Sequence, residues 1–198
     1  MTSPGGAGER PPQSTAPRIL FDRDGVQAAV AHLAAELSAT YDDGVVLVAV
    51  LKGSVLFLAD LIRRMTVHPV VDFMSVSTFG DGGPRVRILK DLETDIGGRD
   101  VVLVEDVVDT GLSLGWLLDE LRARRPRSLE VCALVDKPGR RILPVEVRWI
   151  GLAVEEPYVC GYGLDVAERY RNLDVIAEAD TTVLAAGPDA YVSHLYRR

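Results

Sequence analysis

Residues 101–114 read VVLVEDVVDTGLSL and join an apolar run to the start of a helix. The run from Val101 to Val104 is continuous, which is typical of a strand buried on both faces of a parallel sheet. It ends in acidic residues, and we predict a helix from Leu112 to about Arg124 after the Thr-Gly pair. This stretch therefore predicts one strand-to-helix unit of an α/β fold.

The same alternation recurs along the chain. Asp22 can cap a helix that runs to about Tyr41, because apolar residues follow it at a spacing near 3.6. A second continuous apolar run at 45–51 predicts another buried strand, and Gly53 opens a helix at 54–65. Further strands are predicted at 69–77, 129–135 and 145–152, with a Gly-rich loop at 78–87 and a turn at 138–139. The order predicts a mainly parallel, twisted sheet, in which ligands bind beyond the carboxyl ends of the strands.

Composition limits the possible functions. The chain has 198 residues, with 22 Lys plus Arg against 29 Asp plus Glu and a net charge of −7. This length predicts one domain, which we place at 19–179 between a disordered tail at 1–18 and an extension of unknown role at 180–198.

The acidic balance argues against nucleic-acid binding, and no apolar run approaches the roughly 20 residues of a membrane-spanning helix. Without a signal-peptide core, and with two cysteines outside any disulfide or zinc pattern, the protein is expected in the cytoplasm.

The loop after the central strand is predicted to bind phosphate. Backbone N–H groups of residues 109–113, with the hydroxyl groups of Thr110 and Ser113, would lie at a helix N-terminus, where free donors and the helix dipole favour an anion. The loop matches neither the pattern G-x-x-x-x-G-K-S/T nor G-x-G-x-x-G. The neighbouring carboxylates of Glu105, Asp106 and Asp109 could bind sugar hydroxyl groups, hold a divalent cation or transfer a proton.

On these residues the sequence resembles a known family. Residues 105–111, EDVVDTG, are similar to the phosphoribosyl pyrophosphate motif of the type I phosphoribosyltransferases. Segments similar to the hypoxanthine (guanine) branch are LKGS at 51–54, DFMSVS at 72–77, KDL at 90–92, KP at 137–138, VCGYGLD at 159–165 and ERYRNL at 168–173. The resemblance covers about 19–176 and implies the type I fold with a small hood subdomain. It also implies an enzyme that uses Mg²⁺ to transfer 5-phosphoribose from phosphoribosyl pyrophosphate to N9 of hypoxanthine, and of guanine, releasing pyrophosphate.

The resemblance assigns roles to individual residues. Glu105 and Asp106 would bind the ribose hydroxyl groups and help to hold magnesium, and Asp165 would bind a second magnesium ion. Asp109 would face the purine N7 as the general base. The Leu51-Lys52 peptide bond would be cis. The residues expected to bind phosphoribosyl pyrophosphate or nucleotide are Lys52, Gly53, Glu105, Asp106, Val108, Asp109, Thr110, Gly111, Leu112, Ser113 and Arg171.

The residues expected to bind the purine are Lys137, Tyr158, Val159 and Asp165. Lys137 can donate to O6 and has no acceptor, so it would select 6-oxopurines against adenine. Tyr158 would stack on the base and Val159 would offer backbone groups to its edge. Thr78 and Phe79 would begin a mobile lid that is short for the family, and Phe79 lacks the hydroxyl group usual there.

Two other functions stay open from the sequence alone. A regulator of this fold could bind nucleotide to control nucleic-acid binding, but it would need a basic face, and the net charge of −7 disfavours it. A transferase for xanthine or another base is the second alternative. For the transferase that the resemblance implies, we expect small-molecule substrates, no nucleic acid or membrane partner, and a homodimer or homotetramer.

Overall fold

A computed structural model describes residues 16–79, 85–156 and 158–196. The α-helices in these ranges are α1 (Arg23–Thr40), α2 (Ser54–Ile62), α3 (Leu112–Arg122), α4 (Thr181–Ala186) and α5 (Val192–Leu195), and a 3-10 helix spans Pro138–Arg140. The strands are β1 (Ile19–Phe21), β2 (Val46–Leu51), β3 (Val70–Phe79), β4 (Arg85–Lys90), β5 (Asp100–Val108), β6 (Ser128–Asp136), β7 (Trp149–Ala153), β8 (Val159–Cys160) and β9 (Ile176–Glu178). None of these helices is long and apolar enough to cross a membrane.

The larger sheet has six strands in the order β4-β3-β2-β5-β6-β7. All neighbouring pairs are parallel except β3 and β4, which form an antiparallel edge. The carboxyl ends of β2, β5 and β6 therefore lie side by side at the same end of the sheet. This arrangement confirms the predicted α/β fold and brings together the loops that follow these three strands.

Helices cover both faces of this sheet. Along β2, Leu47 and Ala49 belong to the core that contains α1 and α2, whereas Val46 and Val48 belong to the core that contains α3. The division follows from the alternation of side chains along a strand. It explains why the run is apolar throughout, as predicted. Asp22 caps α1 by accepting from the Gly25 N–H at 2.8 Å, also as predicted.

A small antiparallel sheet in the order β1-β9-β8, together with residues 161–175 that connect β8 to β9, forms the hood beside the larger sheet. The Tyr162 hydroxyl group donates to Asp60 of α2 and ties the hood to the main layer. A separate apolar cluster joins Tyr170 of the hood to Leu184 and Tyr191, so the extension at 180–196 packs on the hood. Residues 1–15 of the expected tail lie outside the described ranges, but the side chain of Arg18 pairs with Glu178 and Glu156 and belongs to the fold.

Several elements differ from the sequence predictions, and β8, β9, α4 and α5 have no counterpart in them. β5 continues to Val108 because it keeps pairing with β6 beyond the acids. The loop predicted at 78–87 is instead flanked by β3 and β4, which pair in antiparallel fashion up to Phe79 and Arg85. The strand predicted at 145–152 begins only at Trp149. Before it, the N–H groups of residues 142 and 143 donate to the Thr110 carbonyl at 2.9 and 3.0 Å, which draws the chain across the phosphate loop.

Candidate active site

The acidic centre of the site lies on β5. Burial raises the pKa of Glu105 well above its ordinary value, and the neighbouring Asp106 raises it further. Burial also raises the pKa of Asp106 to about 6, although the Val107 N–H donates to its carboxylate at 2.8 Å and the charge of Arg171 acts in the same lowering direction. Two neighbouring acids whose pKa values are both raised favour a ligand that brings hydroxyl groups or positive charge.

The predicted phosphate loop stands between β5 and α3. Gly111 caps α3 at φ +83°, and a Cβ there would lie 2.4 Å from the Leu143 carbonyl oxygen, so a larger residue would not fit. The N–H groups of the first turn of α3 have no acceptor within the helix. The loop borders a cavity of about 210 Å³, whose lining includes Glu105, Val108, Asp109, Thr110, Gly111 and Ser113. Leu112, the first residue of α3, is exposed beside it.

The turn after β2 lies against the acidic centre. Its Leu51-Lys52 peptide bond is cis, as expected. A Cβ on Gly53 would lie 1.5 Å from Asp106 Oδ2, and a Cβ on Gly163 would lie 2.0 Å from the Gly53 carbonyl oxygen. The backbone of this turn is therefore packed between β5 and the hood. The Lys52 ammonium lies at the surface, 3.2 Å from Glu168 of the hood.

Arg171 and Asp165 of the hood complete this end of the site. Arg171 donates to the Gly163 carbonyl at 2.8 Å and pairs with Asp165 Oδ1 at 2.7 Å. Its Nε is buried, with no hydrogen-bond partner among the described residues. The structure thus gathers Lys52, Gly53, Asp106, Asp165 and Arg171 from three segments of the chain.

Of the four predicted purine residues, Asp165 lies beside Arg171, and the other three come from the end of β6 and the start of the small sheet. Lys137 follows β6 and is buried, and burial lowers its pKa while the nearby Asp109 carboxylate offsets part of the effect. Tyr158 is 49% exposed. Val159 is buried and pairs with Glu178 in the small sheet.

Two arginines that the sequence analysis did not single out also reach Asp109. Arg140 Nε donates to Asp109 Oδ1 at 2.6 Å, and its guanidinium carbon lies 5.9 Å from the centroid of the Tyr158 ring. Arg141 donates to the Asp109 carbonyl and to the Asp136 carboxylate. The only signal in the sequence is their position shortly after Lys137, because their contacts depend on the 3-10 turn.

The lid and metal predictions are only partly covered by the structure. The backbone of Thr78 and Phe79 ends β3, while residues 80–84 of the expected lid lie outside the described residues.

Within the described ranges, no group of three or more His, Cys, Asp and Glu side chains could hold a metal ion. A cation at Glu105, Asp106 and Asp165 would therefore need further ligands from substrate or water.

The two cysteines lie outside this chemistry. Both are buried and unpaired. Burial raises the pKa of the Cys132 thiol, and it raises that of Cys160 to about 11. They act as small apolar side chains, as expected from the sequence.

Comparisons with known proteins agree with this geometry. Residues 19–165 match the family model described as Phosphoribosyl transferase domain. A Mycobacterium tuberculosis protein named Hypoxanthine-guanine phosphoribosyltransferase is 45% identical over 175 residues, covering 83% of this chain and 87% of the relative. An Escherichia coli protein named Hypoxanthine phosphoribosyltransferase is 43% identical over 166 residues, covering 81% and 93%. A solved Hypoxanthine Phosphoribosyltransferase structure from Staphylococcus aureus has a TM-score of 0.80 at 37% identity, covering 84% and 92%.

The chain belongs to the phosphoribosyltransferase family. The expected enzyme class and type I fold are confirmed. The relatives named above all come from its hypoxanthine branch.

Proposed function

We propose that this chain is a purine salvage enzyme that transfers 5-phosphoribose from phosphoribosyl pyrophosphate to N9 of hypoxanthine and guanine. The observation that carries the proposal is the buried Lys137 near the Asp109 carboxylate. Relatives named for these substrates, at the identities given above, support it.

The two ends of the site suit the charges that separate in this reaction. Loss of pyrophosphate from C1 leaves positive charge on the ribose, so catalysis depends on positioning and on electrostatic stabilisation of both fragments. Glu105 and Asp106 would hold the ribose hydroxyl groups and stabilise the cationic sugar. Arg171 and the backbone of the Lys52-Gly53 turn would hold the departing pyrophosphate. Asp109 would accept the purine proton.

Magnesium fits the donors that the site offers. Glu105, Asp106 and Asp165 supply carboxylate oxygens, which Mg²⁺ prefers, and a cation would offset the desolvation that raises the pKa values of the first two. When bound with substrate, the ion would neutralise charge on the pyrophosphate leaving group. The side chains would orient it through the ribose hydroxyl groups that they also bind.

Selection of the base would depend on Lys137. Its ammonium can donate to the O6 of hypoxanthine or guanine, whereas the amino group of adenine would place donor against donor in a buried position. The half-exposed ring of Tyr158 would stack on the purine.

A spectrophotometric panel of hypoxanthine, guanine, xanthine, adenine and uracil, each with phosphoribosyl pyrophosphate and Mg²⁺, tests the proposal. We expect nucleotide formation from hypoxanthine and guanine, none from adenine, and none in excess chelator. Adenine turnover within about threefold of hypoxanthine turnover would refute the proposed base specificity. A buried mismatch between two hydrogen-bond donors should by itself lower turnover by more than this.

We further propose that the protein is cytoplasmic and forms a homodimer or homotetramer. The two unpaired thiols fit a reducing compartment. Val55 and Leu56 of α2 are 40% and 37% exposed, and such apolar side chains on one helix suit a contact with a second copy. Light scattering that gives a monomer mass at micromolar concentration would refute the assembly.

A further inference from the structure

We propose that Arg140 is a positioning residue for the purine, acting through the carboxylate of Asp109. The inference rests on the proposed function, in which Asp109 faces the purine N7. Arg140 donates to Asp109 Oδ1 at 2.6 Å. Its guanidinium carbon also lies 5.9 Å from the Tyr158 ring centroid, within the range of a cation–π contact. Arg140 thus joins the two groups that we assign to the base, and it follows Lys137, the third, by one 3-10 turn.

Asp109 needs such support because its side chain is not fixed by packing. It follows β5, and its side chain is 36% exposed. Arg141 fixes the main chain by donating to the Asp109 carbonyl, and Arg141 is itself paired with Asp136. Arg140 then fixes the carboxylate, so neighbouring arginines of one turn hold the same residue at two points. A carboxylate held in this way is preorganised to accept from the purine N–H at position 7.

The arrangement makes a specific kinetic prediction. Loss of Arg140 should weaken the binding of the purine and leave the binding of phosphoribosyl pyrophosphate unaffected. Arg140 contacts Asp109 and Tyr158, and neither of these contacts Arg171 in the structure. Lysine keeps the positive charge but lacks the planar guanidinium group, which can bind a carboxylate and lie over an aromatic ring. Arg140→Lys should therefore restore only part of the lost purine binding.

The first experiment compares Arg140→Gln and Arg140→Lys with Arg148→Gln. Arg148 is a matched control outside the site, because it also pairs with an acid, Glu130, at 3.3 Å and lies 4.5 Å over a ring, Trp149. We expect KM for hypoxanthine to rise about tenfold in Arg140→Gln, the usual effect of losing one charge-assisted hydrogen bond, and less in Arg140→Lys. KM for phosphoribosyl pyrophosphate should stay within about twofold in all three variants.

The second experiment separates action through Asp109 from a general disturbance of the pocket. The base 7-deazahypoxanthine has carbon at position 7 and gives Asp109 no N–H to accept. Its inhibition constant should therefore be the same in the wild type and in Arg140→Gln, although the two differ for hypoxanthine. Equal losses for both bases would overturn the proposal, and so would a rise in KM for phosphoribosyl pyrophosphate. A wild-type protein that does not convert hypoxanthine would instead refute the proposed function.

Discussion

At Gly53 the chain has no room for a methyl group. A Cβ there would lie 1.5 Å from Asp106 Oδ2 and 2.5 Å from Asp106 Cγ. The backbone of Gly53 is in the ordinary right-handed region, so alanine would meet no conformational penalty of its own. We predict that Gly53→Ala displaces the Asp106 carboxylate and lowers kcat/KM for phosphoribosyl pyrophosphate by about 10²-fold, the usual effect of a misplaced catalytic group.

Steady-state kinetics with a thermal melt would check this prediction. Gly187→Ala is the matched control, because its Cβ would meet nothing within 4 Å and its φ is extended. A Gly53→Ala protein that melts normally and keeps wild-type kcat/KM would show that Asp106 can move without consequence.

Asp109 can be tested by removing its ability to take a proton. Asparagine keeps the size of the side chain and can still accept from Arg140, but it is not a base. We predict that Asp109→Asn lowers kcat by about 10² to 10⁴-fold with little change in the affinity for phosphoribosyl pyrophosphate. Pre-steady-state rates and binding titrations would separate the two effects. A loss of less than about fivefold would assign Asp109 to orientation of the base alone.

Among the elements, the starts of β5 and β6 are joined by one ion pair. The Arg127 guanidinium donates to the Asp100 carboxylate, at 2.8 Å from Nε, and lowers the pKa of Asp100 from 3.8 to about 2. A carboxyl group with a lowered pKa stabilises the fold above its unfolded pKa, and this contribution is lost as the pH falls toward the folded pKa. We therefore predict that Asp100→Asn costs about 1 kcal/mol at pH 7, discounted for the exposed Arg127.

Urea unfolding at several pH values would test this pair. The difference between wild type and Asp100→Asn should be constant from pH 7 to 5 and shrink between about pH 4 and 2. Asp119→Asn, which breaks an exposed pair with Arg122 on α3, controls for the loss of one surface charge. A difference that is independent of pH down to 2 would contradict the assignment.

The elements that could be predicted from sequence are those whose signal is local. α1 has a capping residue and helical spacing of its apolar residues, and β2 and β5 have continuous apolar runs. Each can therefore be predicted from its own residues, without knowledge of the elements it packs against. β4 was missed because residues 85–90 become a strand only through pairing with β3. β8 and β9 have two and three residues, too few for any periodicity.

The residues of the candidate site fall into the same two groups, those with a local signal in the sequence and those that depend on tertiary contacts. Roles for Glu105, Asp109 and Arg171 could be predicted because these residues stand in motifs that resemble those of a family. Arg140 could not, because its contact with Asp109 exists only once the 3-10 turn has formed after β6. Spacing in the sequence carries no information about which side chain of such a turn faces a residue some 30 positions away.

In the whole molecule, the site lies where two units meet. The larger sheet supplies the turns after β2, β5 and β6, while the hood supplies Asp165 and Arg171. The hood in turn is covered by the extension at 180–196, which was predicted to lie beyond the domain. Tyr170 directly precedes Arg171, and its hydroxyl group donates to the Pro188 carbonyl at 2.6 Å and accepts from the Tyr191 N–H at 3.3 Å. The extension is therefore packed against the segment that carries a site residue.

Whether this extension unfolds together with the domain can be measured at Tyr191. Its side chain is 2% exposed, its ring centroid lies 6.2 Å from that of Tyr170, and its hydroxyl group accepts from the Asp180 N–H at 3.0 Å. We predict that Tyr191→Ala lowers the free energy of unfolding by about 3 kcal/mol, the usual cost of removing a buried aromatic ring. Val192→Ala, on the exposed side of α5, should change it by less than about 0.5 kcal/mol.

The two tryptophans make this measurement selective, because Trp116 on α3 and Trp149 on β7 both lie outside the extension. If the extension and the domain form one cooperative unit, Tyr191→Ala will shift the urea midpoint reported by tryptophan fluorescence. An unchanged tryptophan midpoint, with earlier exchange of the amides at 180–196, would mean that the extension opens on its own. In that case the contacts of Tyr170 with Pro188 and Tyr191 would be lost well before the main sheet unfolds, and the hood would have to hold Arg171 through its contacts with Gly163, Asp165 and Glu168.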